Sequence, residues 1–201
     1  MPDKTNRTPA SKSKLKPRPA GGAREAGKLG TPAKLKAAST GKARPKRKAP
    51  APIVSSGYWL LKSEPDAFSW DQLKAKGKTG EEWSGVRNYL ARNNMRAMQL
   101  GDLAFFYHSN IGLEIVGVCE ICALAHPDST ADDPKWECVD VRAVRDMPRT
   151  VSLKDVKANP KLANMSLVTS MRLSVQPVTK GEWDEICRMG DLGSVPRPKK
   201  R

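Results

Sequence analysis

Residues 1–53 contain no aromatic side chain and only scattered leucines, so whatever this chain folds into must be built from the residues that follow. That segment holds 15 Lys or Arg against Asp3 and Glu25, set among Ala, Pro, Gly, Ser and Thr. Such a composition cannot bury enough apolar surface to offset the entropy of ordering its backbone. "KARPKRKAPAP" also places prolines between the charges, which favours an extended chain. The expectation is a disordered basic tail over 1–53, one folded body over 54–190, and a second basic tail over 191–201 ending in "RPKKR".

The formal net charge of +15 belongs to the two ends, because residues 54–196 carry 17 basic and 19 acidic side chains. A lysine-rich arm suits polyanions: each phosphate it neutralises releases counterions, giving salt-sensitive capture of DNA or RNA without regard to sequence. No apolar run follows the first lysines, so no secretory signal is read. No stretch approaches the roughly 20 apolar residues that cross a bilayer, so no membrane partner is expected. The expected location is the cytoplasm and nucleoid of a bacterium, or the nucleus of a eukaryote.

Cys119 and Cys122 form a C-x-x-C, a spacing used by zinc and redox sites. Here it sits in "EIVGVCEICALA", which reads as a strand, where residues three apart point to opposite faces. Cys138 and Cys187 have no companion spacing, so the four cysteines read as reduced, small hydrophobes, and no metal is expected.

The body begins with a buried strand at "YWLLK" (58–62), followed by a short helix at "WDQLKAK" behind a Ser69/Gln72 capping box. "GKTGEEWSG" reads as loop. In "SGVRNYLARNNMRAM" (84–98), Ala91, Met95 and Met98 fall on one helical face and Asn88 is the N-cap candidate. Strands follow at 101–109, 114–125 and 135–147, with "NIG" as a hairpin loop. A helix capped by Ser152, a strand over 171–178 and a helix behind a Thr179/Glu182 box complete the body. Consecutive antiparallel strands with helices at the flanks predict an α+β fold with a curled sheet. No G-x-G-x-x-G follows the first strand and no P-loop is present, so no cofactor is expected.

Four stretches carry polar or aromatic residues that packing alone does not demand: "LKSEP", "EEWSGVRNY", "FFYHS" and "RLSVQP". Together with "IVGVCEI", "AHPD" and "WECVDV", in this order, they resemble the EVE domain over residues 57–190. The resemblance implies a PUA-like curled mixed β-barrel with flanking helices and a pocket for a nucleobase, modified, in DNA or RNA.

Such a pocket needs an aromatic face for the base and amide, hydroxyl or backbone groups on its edge. Trp83 is the candidate face, with Tyr107 or Trp136 as a second wall. Ser63, Asn88, Ser109 and Gln176 are candidate edge contacts. Gly85, Val86, His108, Ser174 and Pro177 complete the candidate lining, and Gly85 would let backbone approach the base. Lys62, Arg87, Arg92 and Arg172 are candidate phosphate contacts. The expected function is a non-enzymatic, monomeric reader in which the tail captures nucleic acid and the domain discriminates. Two rivals stand beside it. One is a hydrolase or nucleic-acid-modifying enzyme using Lys62, Glu64, His108 and Ser109, which lacks a nucleophile elbow or metal cluster. The other is an architectural or protein-interaction protein whose tail supplies all the affinity.

Overall fold

The computed structural model describes residues 56–193; the two basic tails expected from the sequence lie outside them, apart from residues 191–193. Six strands form one mixed sheet: β1 (Tyr58–Ser63), β2 (Glu81–Glu82), β3 (Leu103–His108), β4 (Glu114–Pro127), β5 (Glu137–Ser152) and β6 (Val175–Pro177). Their order is β2-β5-β4-β3-β1-β6. Among the described residues only β1 and β3 run parallel, joined by a crossover that contains α1 (Trp70–Ala75), β2 and α2 (Tyr89–Ala97). The chain closes with α3 (Leu153–Ala158), a 3-10 turn (Pro160–Leu162), α4 (Ser166–Thr169) and α5 (Lys180–Met189). The fold is α+β as expected, but the sheet curls without closing. β2 and β6 are its two edges, so the barrel is open.

Strand alternation divides the interior into two cores. Tyr58, Leu60, Leu103, Phe105 and Tyr107 face one, where Trp183 stacks on Phe105 with ring centroids 4.0 Å apart. Trp59, Leu61, Ala104 and Phe106 face the other, beneath α1 and α2. Because both faces of β1 and β3 are covered, these strands read as unbroken apolar runs.

The capping boxes at Ser69 and Thr179 and the Ser152 cap form as the sequence predicts. Three boundaries differ. β5 runs on to Ser152 across Pro148, because residues 147–150 bulge between the pairs Gly117↔Asp146 and Ile115↔Val151. A bulge leaves proline's missing donor unneeded, and Arg149 N–H bonds Gly190 at the end of α5 instead. β6 shrinks to three residues because Leu173 N–H closes a turn on the Ser170 carbonyl, leaving the segment before it out of the sheet. Within the expected loop 77–85, Glu81 and Glu82 pair with Val141 and Asp140 as an edge strand.

Candidate functional site

The helix α2 explains the asparagines of its sequence. Asn88 Oδ1 accepts from the N–H groups of Leu90 (2.9 Å) and Ala91 (3.1 Å), satisfying two donors that a helix start leaves free. Asn94, 1% exposed, donates to the Val175 carbonyl at 2.6 Å and ties the helix to β6. Asn93 Oδ1 holds the Arg92 guanidinium. The apolar stripe Ala91, Met95, Met98 lies in the core beneath.

Between the end of β1, the edge strand β2 and the segment entering α2 lies a cavity of about 420 Å³. That is within the roughly 300–1,000 Å³ typical of small-ligand sites. Lys62, Ser63, Ala67 and Phe68, the run from Glu81 to Arg87, and Ser174 line it. Trp83 is 6% exposed, and its backbone N–H donates to the Val139 carbonyl at 2.7 Å. Its ring meets Phe106 edge-on at 5.4 Å and Phe68 at 6.3 Å. Ser63 donates its hydroxyl to the Phe68 carbonyl at 2.6 Å, and Lys62 N–H bonds the Ser174 carbonyl at 2.9 Å. The wall is therefore hydrogen-bonded to itself.

Asp128 holds the lining residues Gly85 and Arg87 in place. Its side chain is fully buried, and Oδ2 accepts from Gly85 N–H (2.9 Å) and Arg87 Nη1 (2.6 Å). Oδ1 accepts from Thr130 N–H and hydroxyl, an Asx turn. Burial alone would raise this carboxyl, but the hydrogen bonds from Thr130, Arg87 and Gly85 outweigh it and hold it at about 2. Gly85 has φ +78, and a Cβ there would meet nothing within 4 Å. It is required for its left-handed backbone, which presents the N–H to Asp128, not for lack of room.

Seven of the residues singled out in the sequence meet at this cavity: Lys62, Ser63, Trp83, Gly85, Val86, Arg87 and Ser174. The others go elsewhere, for reasons of packing. Tyr107 is 2% exposed and belongs to the core on the other face of the sheet from Trp83, so it is no second wall; burial pushes its hydroxyl up to about 12. Gln176 is fully buried, its amide donating to the Ser170 and Leu173 carbonyls, which makes it a brace for the turn before β6. Pro177 ends β6 opposite Trp59. His108 Nε2 accepts from the Trp70 N–H at the start of α1 (3.2 Å), and burial lowers its pKa, so it is held neutral. Ser109 N–H continues the ladder onto the Ser63 carbonyl. Trp136 stacks on Tyr89 outside the cavity, and Arg92 lies over Tyr89. Asn88 and Arg172 line a separate, shallower depression beside Leu90 and Met171. The Lys62 ammonium, its pKa lowered by burial, donates to the Met171 carbonyl at 3.0 Å.

Sequence reasoning missed Phe68, Glu81, Glu82 and Asp128. "AHPD" marks Asp128 as a turn former, but no local signal announces a partner 43 residues away. A further cluster, Glu82, His126 and Cys138, brings ligand-type atoms within 4.8 Å. His126, however, places Nε2 on Asp140 (2.8 Å) and Nδ1 on the Pro127 carbonyl (3.0 Å). The Asp140 hydrogen bond raises its pKa, and burial pushes the Cys138 thiol up to about 12. A ring whose nitrogens both face oxygens has no lone pair turned to a metal.

The EVE domain family model matches residues 57–189. Mouse thymocyte nuclear protein 1 is 44% identical over 163 residues, 65% of this chain and 72% of that protein. The crystal structure of an Agrobacterium tumefaciens protein is 70% identical, with a TM-score of 0.68 over 72% of this chain and 98% of that one. A crystal structure of the human THYN1 protein in complex with 5-methylcytosine containing DNA is 40% identical. It covers 67% of this chain and 97% of that one, with a TM-score of 0.62.

Proposed function

Because the chain belongs to the EVE domain family, we propose that it is a nucleic-acid reader whose Trp83 cavity holds a single modified base of DNA. The observation that carries the reading is this cavity, lined by Trp83 and Phe68 and by hydrogen-bonded polar groups, in a chain 40% identical to a protein crystallised with methylated DNA. An aromatic ring contributes about 1–3 kcal/mol per stacked base and accepts the extra methyl as apolar contact. Glu81 and Glu82 also line the cavity, the Glu81 carboxylate paired with Lys76 and the Glu82 carboxylate accepting from the Ser129 hydroxyl. Arg87, locked by Asp128 and Thr130, stands at the rim where a phosphate would pass.

The reading is of a non-catalytic, monomeric protein working where DNA is kept, with residues 1–53 supplying salt-sensitive capture. His108, the candidate base of the rival enzyme reading, spends its free nitrogen on the Trp70 N–H, which supports binding over turnover. The test is fluorescence anisotropy of the full chain on duplexes differing only in one 5-methylcytosine. The methylated duplex should bind more tightly, and Trp83→Phe should shrink that preference while non-specific affinity persists. Equal binding of both duplexes by the wild-type chain would overturn the reading.

A further inference from the structure

Two aromatic rings outside the cavity stand clear of both cores. Tyr89, the first residue of α2, is 57% exposed and stacks on half-buried Trp136, with centroids 5.0 Å apart and planes at 29°. Cations surround the pair: Arg92 lies 5.1 Å from the Tyr89 ring, and Arg87 and Lys135 lie 5.8 Å and 5.6 Å from the Trp136 ring. Lys135 is paired with Asp133 and Arg87 with Asp128. Arg92 bonds the Lys135 carbonyl and the Asn93 amide oxygen; among the described residues it makes no close ion pair, and Glu137, which is held by Arg96, feels its charge at longer range. Neither ring is needed to fill the interior, since neither belongs to a buried cluster. Arg87 joins the ridge to the cavity, because it lines the one and lies over Trp136 in the other.

We propose that the Tyr89–Trp136 ridge is a second contact for the same DNA strand, stacking a base next to the one held in the cavity, with Arg92 on a neighbouring phosphate. The proposal rests on the reader function above and adds to it a site for the flanking nucleotide. Withdrawing one base from a duplex leaves its neighbour without a stacking partner on one side. An exposed ring backed by guanidinium groups restores that contact, and it does so for any base, since every base has a π-face. The ridge therefore adds affinity without telling a methylated cytosine from a plain one. Discrimination stays in the cavity.

The test uses the full chain and two duplexes, each carrying 2-aminopurine beside a cytosine that is methylated in one and plain in the other. The wild-type chain should quench the 2-aminopurine on binding. Tyr89→Ala should abolish the quenching and weaken binding of both duplexes by about 5- to 150-fold with their ratio unchanged. Tyr89→Phe should behave as wild type. Arg92→Gln should reduce the slope of log affinity against log salt by about one. Tyr89 is exposed, so an unchanged urea midpoint will show that the Ala variant is folded. Tyr89→Ala and Trp136→Ala chains that bind and quench like wild type would overturn the ridge, as would a variant that changes the ratio alone. Equal wild-type affinity for the two duplexes would sink the cavity reading instead, and the quenching signal would then decide the ridge by itself.

Discussion

Asp128 joins segments that are far apart in the chain, and its carboxylate is the most constrained group at the cavity rim. Its pKa is held at about 2 in the fold, below the ordinary 3.8, so ionised Asp128 stabilises the native state above about pH 4. That contribution, on the order of 2 kcal/mol, is lost as pH falls towards 2. Glu185, held at about 2 by Arg188, Asn159 and Lys161, is lost in the same window. Asp128→Asn should therefore flatten part, not all, of the fall in urea midpoint between pH 5 and about pH 2.5. Because asparagine offers one acceptor oxygen for the Gly85, Arg87 and Thr130 donors that Asp128 meets with two, and no charge to hold Arg87, the same variant should also weaken binding of methylated duplex. Asp128 shows where sequence reading stops at this scale. Its Asx turn with Thr130 is local and legible, whereas the Gly85 and Arg87 contacts depend on β4 and the α2 entrance meeting in space. Tyr107 and Gln176 fail for the converse reason: polar residues in apolar strands look available until both faces of the sheet are covered.

At the scale of elements, helix starts were readable because capping is chemistry between residues three apart. Asn88→Ala should cost about 0.5–2 kcal/mol through loss of the α2 cap, measurable in urea. It should also loosen the cavity, since Trp83 to Arg87 lead directly into that helix. The seating of α1 on the sheet depends on Gly117 in β4, where an added Cβ would overlap the ring of Trp70. Trp70 is also pinned by its indole N–H to Asp146 at 2.6 Å. The ring therefore has no cheap escape. Gly117→Ala should destabilise by about 1–3 kcal/mol, and should disturb His108, whose Nε2 bonds the Trp70 N–H. The near-ultraviolet circular dichroism of the tryptophans would report the displacement. The strand boundaries that differed, at β5 and β6, differed because a bulge and a turn obey cross-strand partners that no local pattern encodes.

For the whole molecule, the charge distribution predicts a division of labour. Deleting residues 2–53 should lower the salt dependence of DNA affinity by several units of slope while leaving the preference for methylated over plain cytosine intact. Equilibrium binding at a series of salt concentrations checks this, and loss of the preference with the tail would favour the architectural rival. Composition and near neighbours were enough to place the core-forming residues, the segments that alternate or cap, the α+β class and, through the resemblance, the family. Packing between distant segments settled which candidates share one cavity, that the sheet stays open between β2 and β6, and that Trp136 pairs with Tyr89 outside the site. The physical reason is that a side chain's direction along a strand is local, but what it meets is set by the layer packed above it. Two layers here, one on each face of β1 and β3, sort neighbouring residues such as Phe106 and Tyr107 into separate interiors.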